Sequence, residues 1–191
     1  MRAPLSLIAL ALASLLMAGT AAAGPASNVA DPQAPRALPA EGPVQVQWTD
    51  PANFTELRHS RNRWEAQRGN WVNTLANHLR TRAARQLPDG QQLAVTITDI
   101  KRAGDYEPWH GLQMQDVRFM RDIYPPRVSL QFTLTDAQGQ VIDQGERKLV
   151  DSSYLYGGTR LSDTDPLRYE KRLLDDWLRR ELRQDHDVAG L

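Results

Sequence analysis

Val128, Leu130, Phe132 and Leu134 alternate with Ser129, Gln131 and Thr133, and Asp136-Ala137-Gln138-Gly139 follows directly. A period of two places all four apolar side chains on one face of a strand. The short connection, with Gly139 suited to a positive φ, predicts a tight reversal. Gln140 to Val150 then returns antiparallel. A sheet that is apolar on one face must bury that face against a second layer. This hairpin therefore constrains the chain to a sheet with something packed on one side.

The remaining elements supply that layer. Val44, Val46 and Trp48 alternate with Gln45 and Gln47 as a first half-buried strand, and Asp50-Pro51 ends it. A long helical stretch is expected from about Arg61 to Leu87. Trp64, Trp71, Val72, Leu75, Leu79 and Ala83 share one face of it, with Gly69 a weak point near its start. Pro88-Asp89-Gly90 closes it as a turn. Leu93, Val95 and Ile97 make a second strand. Asp105 to Gln115 has no period and reads as a loop; Val117, Phe119, Arg121 and Ile123 alternate weakly. Pro125-Pro126 interrupts any ladder there. Asp165 as N-cap and Pro166 at the first helical position start the last helix, whose stripe is Leu167, Leu174, Trp177, Leu178 and Leu182, widened by Tyr169 and Leu173. The expected fold is α+β in the order β-α-β-β-β-α. It has a small mixed, mainly antiparallel sheet of four or five strands and two helices on one face. Trp48, Trp64, Trp71 and Trp177 are expected to share the helix–sheet interface.

The N-terminus predicts a compartment. Met1-Arg2, the apolar run Leu5 to Ala18 and Ala21-Ala22-Ala23 before Gly24 have the layout of a cleavable signal peptide over 1–23. The run is shorter than the roughly 20 residues that cross a bilayer. The expectation is a periplasmic protein that does not span the membrane after cleavage. Residues 24–43 carry Pro25, Pro32, Pro35, Pro39 and Pro43 and read as a flexible tether. A single domain over 44–183 and a frayed tail over 184–191 complete the division.

There is no Cys among the 191 residues, which removes disulfides, thiolate metal sites and a Cys nucleophile. Basic and acidic residues balance at 23 each, so bulk charge gives no case for nucleic acid. The distribution is uneven: Phe54 to Gln86 holds seven Arg against two Glu. Arg80, Arg82 and Arg85 are either a solvated helix face or a basic surface for an anionic envelope partner.

Several segments carry a resemblance. They are Val46-Gln-Trp-Thr-Asp-Pro51 with Phe54, Leu87-Pro-Asp-Gly-Gln91, Leu93 through Thr98-Asp99-Ile100, and Ala103-Gly104. Further on come Tyr124-Pro125-Pro126-Arg127, Gly145-Glu146-Arg147, Asp151 with Tyr154, and Leu167 through Tyr169-Glu170-Lys171 to Trp177. In this order they resemble a proteobacterial family of exported proteins known as domain of unknown function 3016. The resemblance spans about Val44 to Leu182. It carries over no activity, substrate or cofactor. It implies an acidic residue and then Leu after Ile100, where this chain has Lys101-Arg102.

The candidate chemistry is sparse. His59, His78, His110 and His186 show no i, i+4 pair and no HExxH, and there is no nucleophile elbow or phosphate-binding Gly loop. Neither a cofactor nor a metal is expected. Asp105, Glu107, Trp109 and His110 crowd into one loop. Asp99 either bonds the Ala103-Gly104 turn or lines a pocket at its strand's end. Tyr154 and Tyr156 precede Gly157-Gly158, a turn or a binding loop. The reading is a non-enzymatic binding or envelope-assembly module for an envelope protein or anionic envelope component. The alternative is a small periplasmic hydrolase or metal-dependent enzyme using the Asp105–His110 loop.

Overall fold

The computed structural model describes residues 28–156 and 164–182. The signal-peptide stretch 1–23, most of the Gly157 turn and the tail 184–191 lie outside the described residues.

Four strands form the main sheet: β1 (Val44–Trp48), β2 (Gln92–Lys101), β5 (Arg127–Thr135) and β6 (Val141–Val150). Their order is β1-β2-β5-β6, with β1 parallel to β2 and the other pairs antiparallel. The β5–β6 reversal falls where the alternation places it, with Gly139 at φ +80°. Val44, Val46, Trp48, Leu93, Val95, Ile97, Val128, Leu130, Phe132 and Leu134 are all buried on one face. The opposite face carries Gln45, Gln47, Ala94, Thr96 and Gln131.

Helices α3 (Trp71–Ala84) and α4 (Arg168–Glu181) cover the apolar face, and the fold is α+β as expected. α3 packs on β1 and on α4, and α4 packs on β5 and β6. Trp177 lies edge-on to Phe132 at 5.8 Å between ring centroids. α4 starts at Arg168, later than its Asp-Pro signal. Asp165 Oδ1 still accepts from Leu167 N–H at 2.9 Å.

Three sequence expectations need correction. The long first helix is three pieces: α1 (Thr55–Arg58), α2 (Arg63–Gln67) and α3. Gly69, at φ +83°, breaks the last two apart, a conformation that L side chains rarely adopt. Each restart resets the helical phase, so Trp64 is exposed while Trp71 is buried. Next, the stretch read as a tether lies partly on the domain. Leu38 N–H bonds Val46 O and Trp48 N–H bonds Arg36 O, covering the outer edge of β1, and Leu38 is in the core. Finally, Val117 to Ile123 does not join the main sheet. Only Arg118–Phe119 (β4) is a strand, paired antiparallel with Asp105–Tyr106 (β3) in a separate two-stranded sheet.

A candidate binding lobe

Between β2 and β5 the chain leaves the sheet and returns. Gly104 N–H bonds Tyr124 O at 2.9 Å and closes the neck of this excursion. The lobe it encloses, residues 104–124, holds β3, two short 3₁₀ turns (Pro108–His110 and Leu112–Met114) and β4. Gly104 has φ +75°, and a Cβ there would lie 2.7 Å from Phe119 O and 2.8 Å from Met120 Sδ. Only glycine lets the two strands approach so closely.

Buried charge joins the lobe to the body. Glu56, in α1, has no exposed surface and meets Lys101 Nζ at 3.2 Å, Arg102 Nε at 3.1 Å and Arg118 of β4. Burial alone would raise its pKa. The cations Arg118, Arg102 and Lys101 outweigh that and hold the carboxyl at about 2. Lys101 and Arg102 are thus both partners of Glu56. Glu170 of α4 accepts from Ala103 N–H at 2.5 Å through Oε1, and its buried Oε2 has no hydrogen-bond partner among the described residues. Burial raises the pKa of Glu170, against the opposing pull of the Ala103 hydrogen bond.

A second network lies within the lobe. Glu107 is 2% exposed and accepts from Arg121 Nη2 at 2.7 Å and Tyr124 Oη at 3.0 Å, with His110 Nε2 at 2.8 Å. Burial pushes its pKa up, but these hydrogen bonds outweigh the penalty and hold it below the usual carboxylate range. Asp105, also buried, takes Tyr106 N–H at 2.8 Å and Arg61 Nη1 at 3.3 Å. Arg61 lies 5.1 Å from the Trp109 ring centroid and 5.7 Å from that of Tyr124, so it ties the two arms of the lobe together. His110 stacks on Phe119 at 4.8 Å. Asn62 Nδ2 donates to Gln115 O at 3.1 Å and Asp116 Oδ1 at 2.8 Å, fastening the lobe to the chain before α2.

The expected site residues fall into separate groups. Asp105, Glu107, Trp109 and His110 do come together in the lobe. Their carboxylates are taken up by internal partners, and no group of three His, Asp or Glu among the described residues is placed to hold a metal. Asp99 does not bond the Ala103-Gly104 turn. A register shift between Ile97 and Asp99 breaks the alternation, and Asp99 accepts from Thr55 N–H and Oγ1, both at 2.6 Å, capping α1. Tyr154 is not a binding-loop residue: it is fully buried, edge-on to Tyr169 at 4.8 Å, and donates to Arg121 O at 2.7 Å under the lobe. Burial pushes its pKa up to about 12. Tyr156 is exposed. The Arg80, Arg82 and Arg85 face is divided. Arg80 Nη1 donates to Pro39 O at 3.0 Å, Arg82 Nε donates to Asp175 Oδ1 at 3.1 Å, and Arg85 is exposed. His78 meets the same Asp175 at 2.9 Å.

Glu56, Arg61, Arg118, Arg121 and Glu170 were missed as site residues. Their partners are distant in sequence: Glu56 and Arg118 are 62 positions apart, and Ala103 and Glu170 are 67 apart. The one usable signal was Tyr169-Glu170, inside the last segment that carries the resemblance. That segment now proves to sit beneath the neck of the lobe.

No match was found among curated proteins or among solved structures. A family model described as "Protein of unknown function (DUF3016)" matches residues 42–180, which takes in both sheets, α1 to α3 and nearly all of α4. The chain belongs to the DUF3016 family.

Proposed function

We propose that this protein is an exported, non-enzymatic binding module of the periplasm, and that the lobe is the surface it presents. The carrying observation is the contrast between the lobe's inside and outside. Inside, buried carboxylates are consumed by fixed internal pairs, which hold the backbone in one conformation. Outside, Trp109, Leu112, Met114, Val117 and Ile123 are exposed on the same short excursion. Clustered exposed apolar residues mark interaction sites, and Trp and Arg are the residues that dominate binding energy at such sites. Export is supported by the charge and apolar pattern of residues 1–23. Among the described residues no helix is long and apolar enough to cross a membrane.

The test is affinity capture of the exported protein after crosslinking in living cells, followed by mass spectrometry. A partner recovered with the parent and lost with Trp109→Ser plus Leu112→Ser supports the reading. Equal recovery from both proteins overturns it.

A further inference from the structure

Leu112 is 80% exposed and Ile123 66% exposed, so most of each side chain touches nothing in the protein. They stand out as knobs from the two arms that Arg61 ties together. Trp109, 61% exposed, lies on the same arm as Leu112. Sugars stack on rings, but aliphatic knobs offer them nothing to stack on. A fluid hydrocarbon layer accepts protruding aliphatic groups of any outline, and Trp prefers the depth of the headgroups.

The charges around these knobs have a consistent orientation. In the Arg121–Glu107 pair the cation is 47% exposed and the acid 2%; in the Arg61–Asp105 pair the values are 43% and 9%. Each acid is inside and each arginine is outermost, so neutral pairs still present a positive surface. Arg58 and Arg63, on either side of Arg61, are exposed and have no ion pair among the described residues. Two exposed acids, Asp116 and Asp122, belong to the lobe, and both already accept internal hydrogen bonds. Exposed apolar side chains on the lobe, together with outward-facing arginines on it and on the chain from Arg58 to Arg63, complement a bilayer with anionic headgroups.

We propose that the lobe is an interfacial membrane anchor, in which Trp109, Leu112 and Ile123 enter the headgroup region of an anionic bilayer while Arg58, Arg61, Arg63 and Arg121 meet lipid phosphates. This rests on the lobe being the binding surface, and adds what it binds.

The exported protein, purified as the cell makes it, is mixed with vesicles of phosphatidylethanolamine and phosphatidylglycerol, or with vesicles of phosphatidylcholine alone. Binding is expected to favour the anionic vesicles and to weaken as salt is raised. Leu112→Ser plus Ile123→Ser should reduce the partition coefficient about tenfold or more, since each residue loses a buried aliphatic contact. Both positions are exposed, so the thermal midpoint should stay at the parent value. Lipids brominated high in the acyl chain should quench parent fluorescence and quench Trp109→Phe less. Equal partition of parent and double variant, or quenching independent of Trp109, overturns the proposal. If vesicle binding fails while Trp109 and Leu112 still govern capture of a protein in cells, the lipid assignment falls and the binding surface stands. If both fail, both readings fall.

Discussion

Arg118, on the second strand of the lobe, reaches into the body of the protein and pairs with Glu56, which has no exposed surface. The Glu56 side of the pair belongs to the main core through Phe54 and Leu57, whereas the lobe adds only Met120 to a small apolar cluster with Ala103, Tyr154 and Tyr169. Lys101 and Arg102 approach the same carboxylate from the end of β2. The lobe is thus held less by apolar burial than by one buried anion with three cations around it. Such a cluster is expensive to assemble and more expensive to break, because removing one member strands the rest.

Glu56→Gln is therefore expected to destabilise the protein by about 3–5 kcal/mol, the usual cost of leaving buried charge unpaired. The sign of its pH dependence follows from its lowered pKa. The stabilisation is fully present above the ordinary carboxyl value of 4.5 and is lost as pH falls toward about 2. Urea unfolding of parent and variant across the acid range checks both statements. A parent whose stability does not fall below that upper value would show that the fold does not lower the Glu56 pKa.

Glu170 should show the opposite dependence. Its carboxyl is raised by burial, so the folded chain holds a proton that the unfolded chain releases. Stability then falls as pH rises from 4.5 through the raised value. Glu170→Gln keeps an oxygen for Ala103 N–H and carries no charge at any pH. The variant should lack that falling limb and match or exceed the parent at neutral pH. Parallel curves for the two proteins would place Glu170 as an ionised residue in the fold.

Gly104→Ala should cost about 1–3 kcal/mol through its backbone conformation alone, with the contact against Phe119 O adding to it. Because the neck closes there, amide exchange should quicken across residues 104–124 before the main sheet is affected. A thermal midpoint and exchange pattern unchanged from the parent would mean that the neck tolerates a side chain.

Trp177 is the largest fully buried side chain, and its Nε1 donates to Glu181 at 2.9 Å. Trp177→Ala should cost about 3–5 kcal/mol. Differential scanning calorimetry reads this directly, and an unchanged midpoint would mean the helix–sheet interface does not depend on it.

What could be read in advance follows from the range of the interactions involved. The strands around Val46, Val95 and Phe132, and the α4 stripe through Leu174 and Trp177, have local periods, and they formed where those periods put them. Trp64 fitted a helical period too, but Gly69 and the break before Arg63 reset the phase, which a count of spacings does not detect. The lobe has no period at all. Its order comes from Glu56 meeting Arg118 and from Arg61 lying between Trp109 and Tyr124, pairings that leave no local pattern. Arg80 and Arg82 looked like a free basic face because Pro39 and Asp175 reach them only in three dimensions. A charge-reversal experiment there would report stability as much as binding.

The most direct measurement is site-resolved photocrosslinking in living cells. A photoreactive residue is placed in turn at Trp109, Leu112 and Ile123 in the lobe, and at Gln45, Gln131 and Asp89 elsewhere on the surface. Adducts confined to the three lobe positions are the expected result. Adducts from the sheet face or from Asp89, with none from the lobe, would contradict a binding surface at residues 104–124.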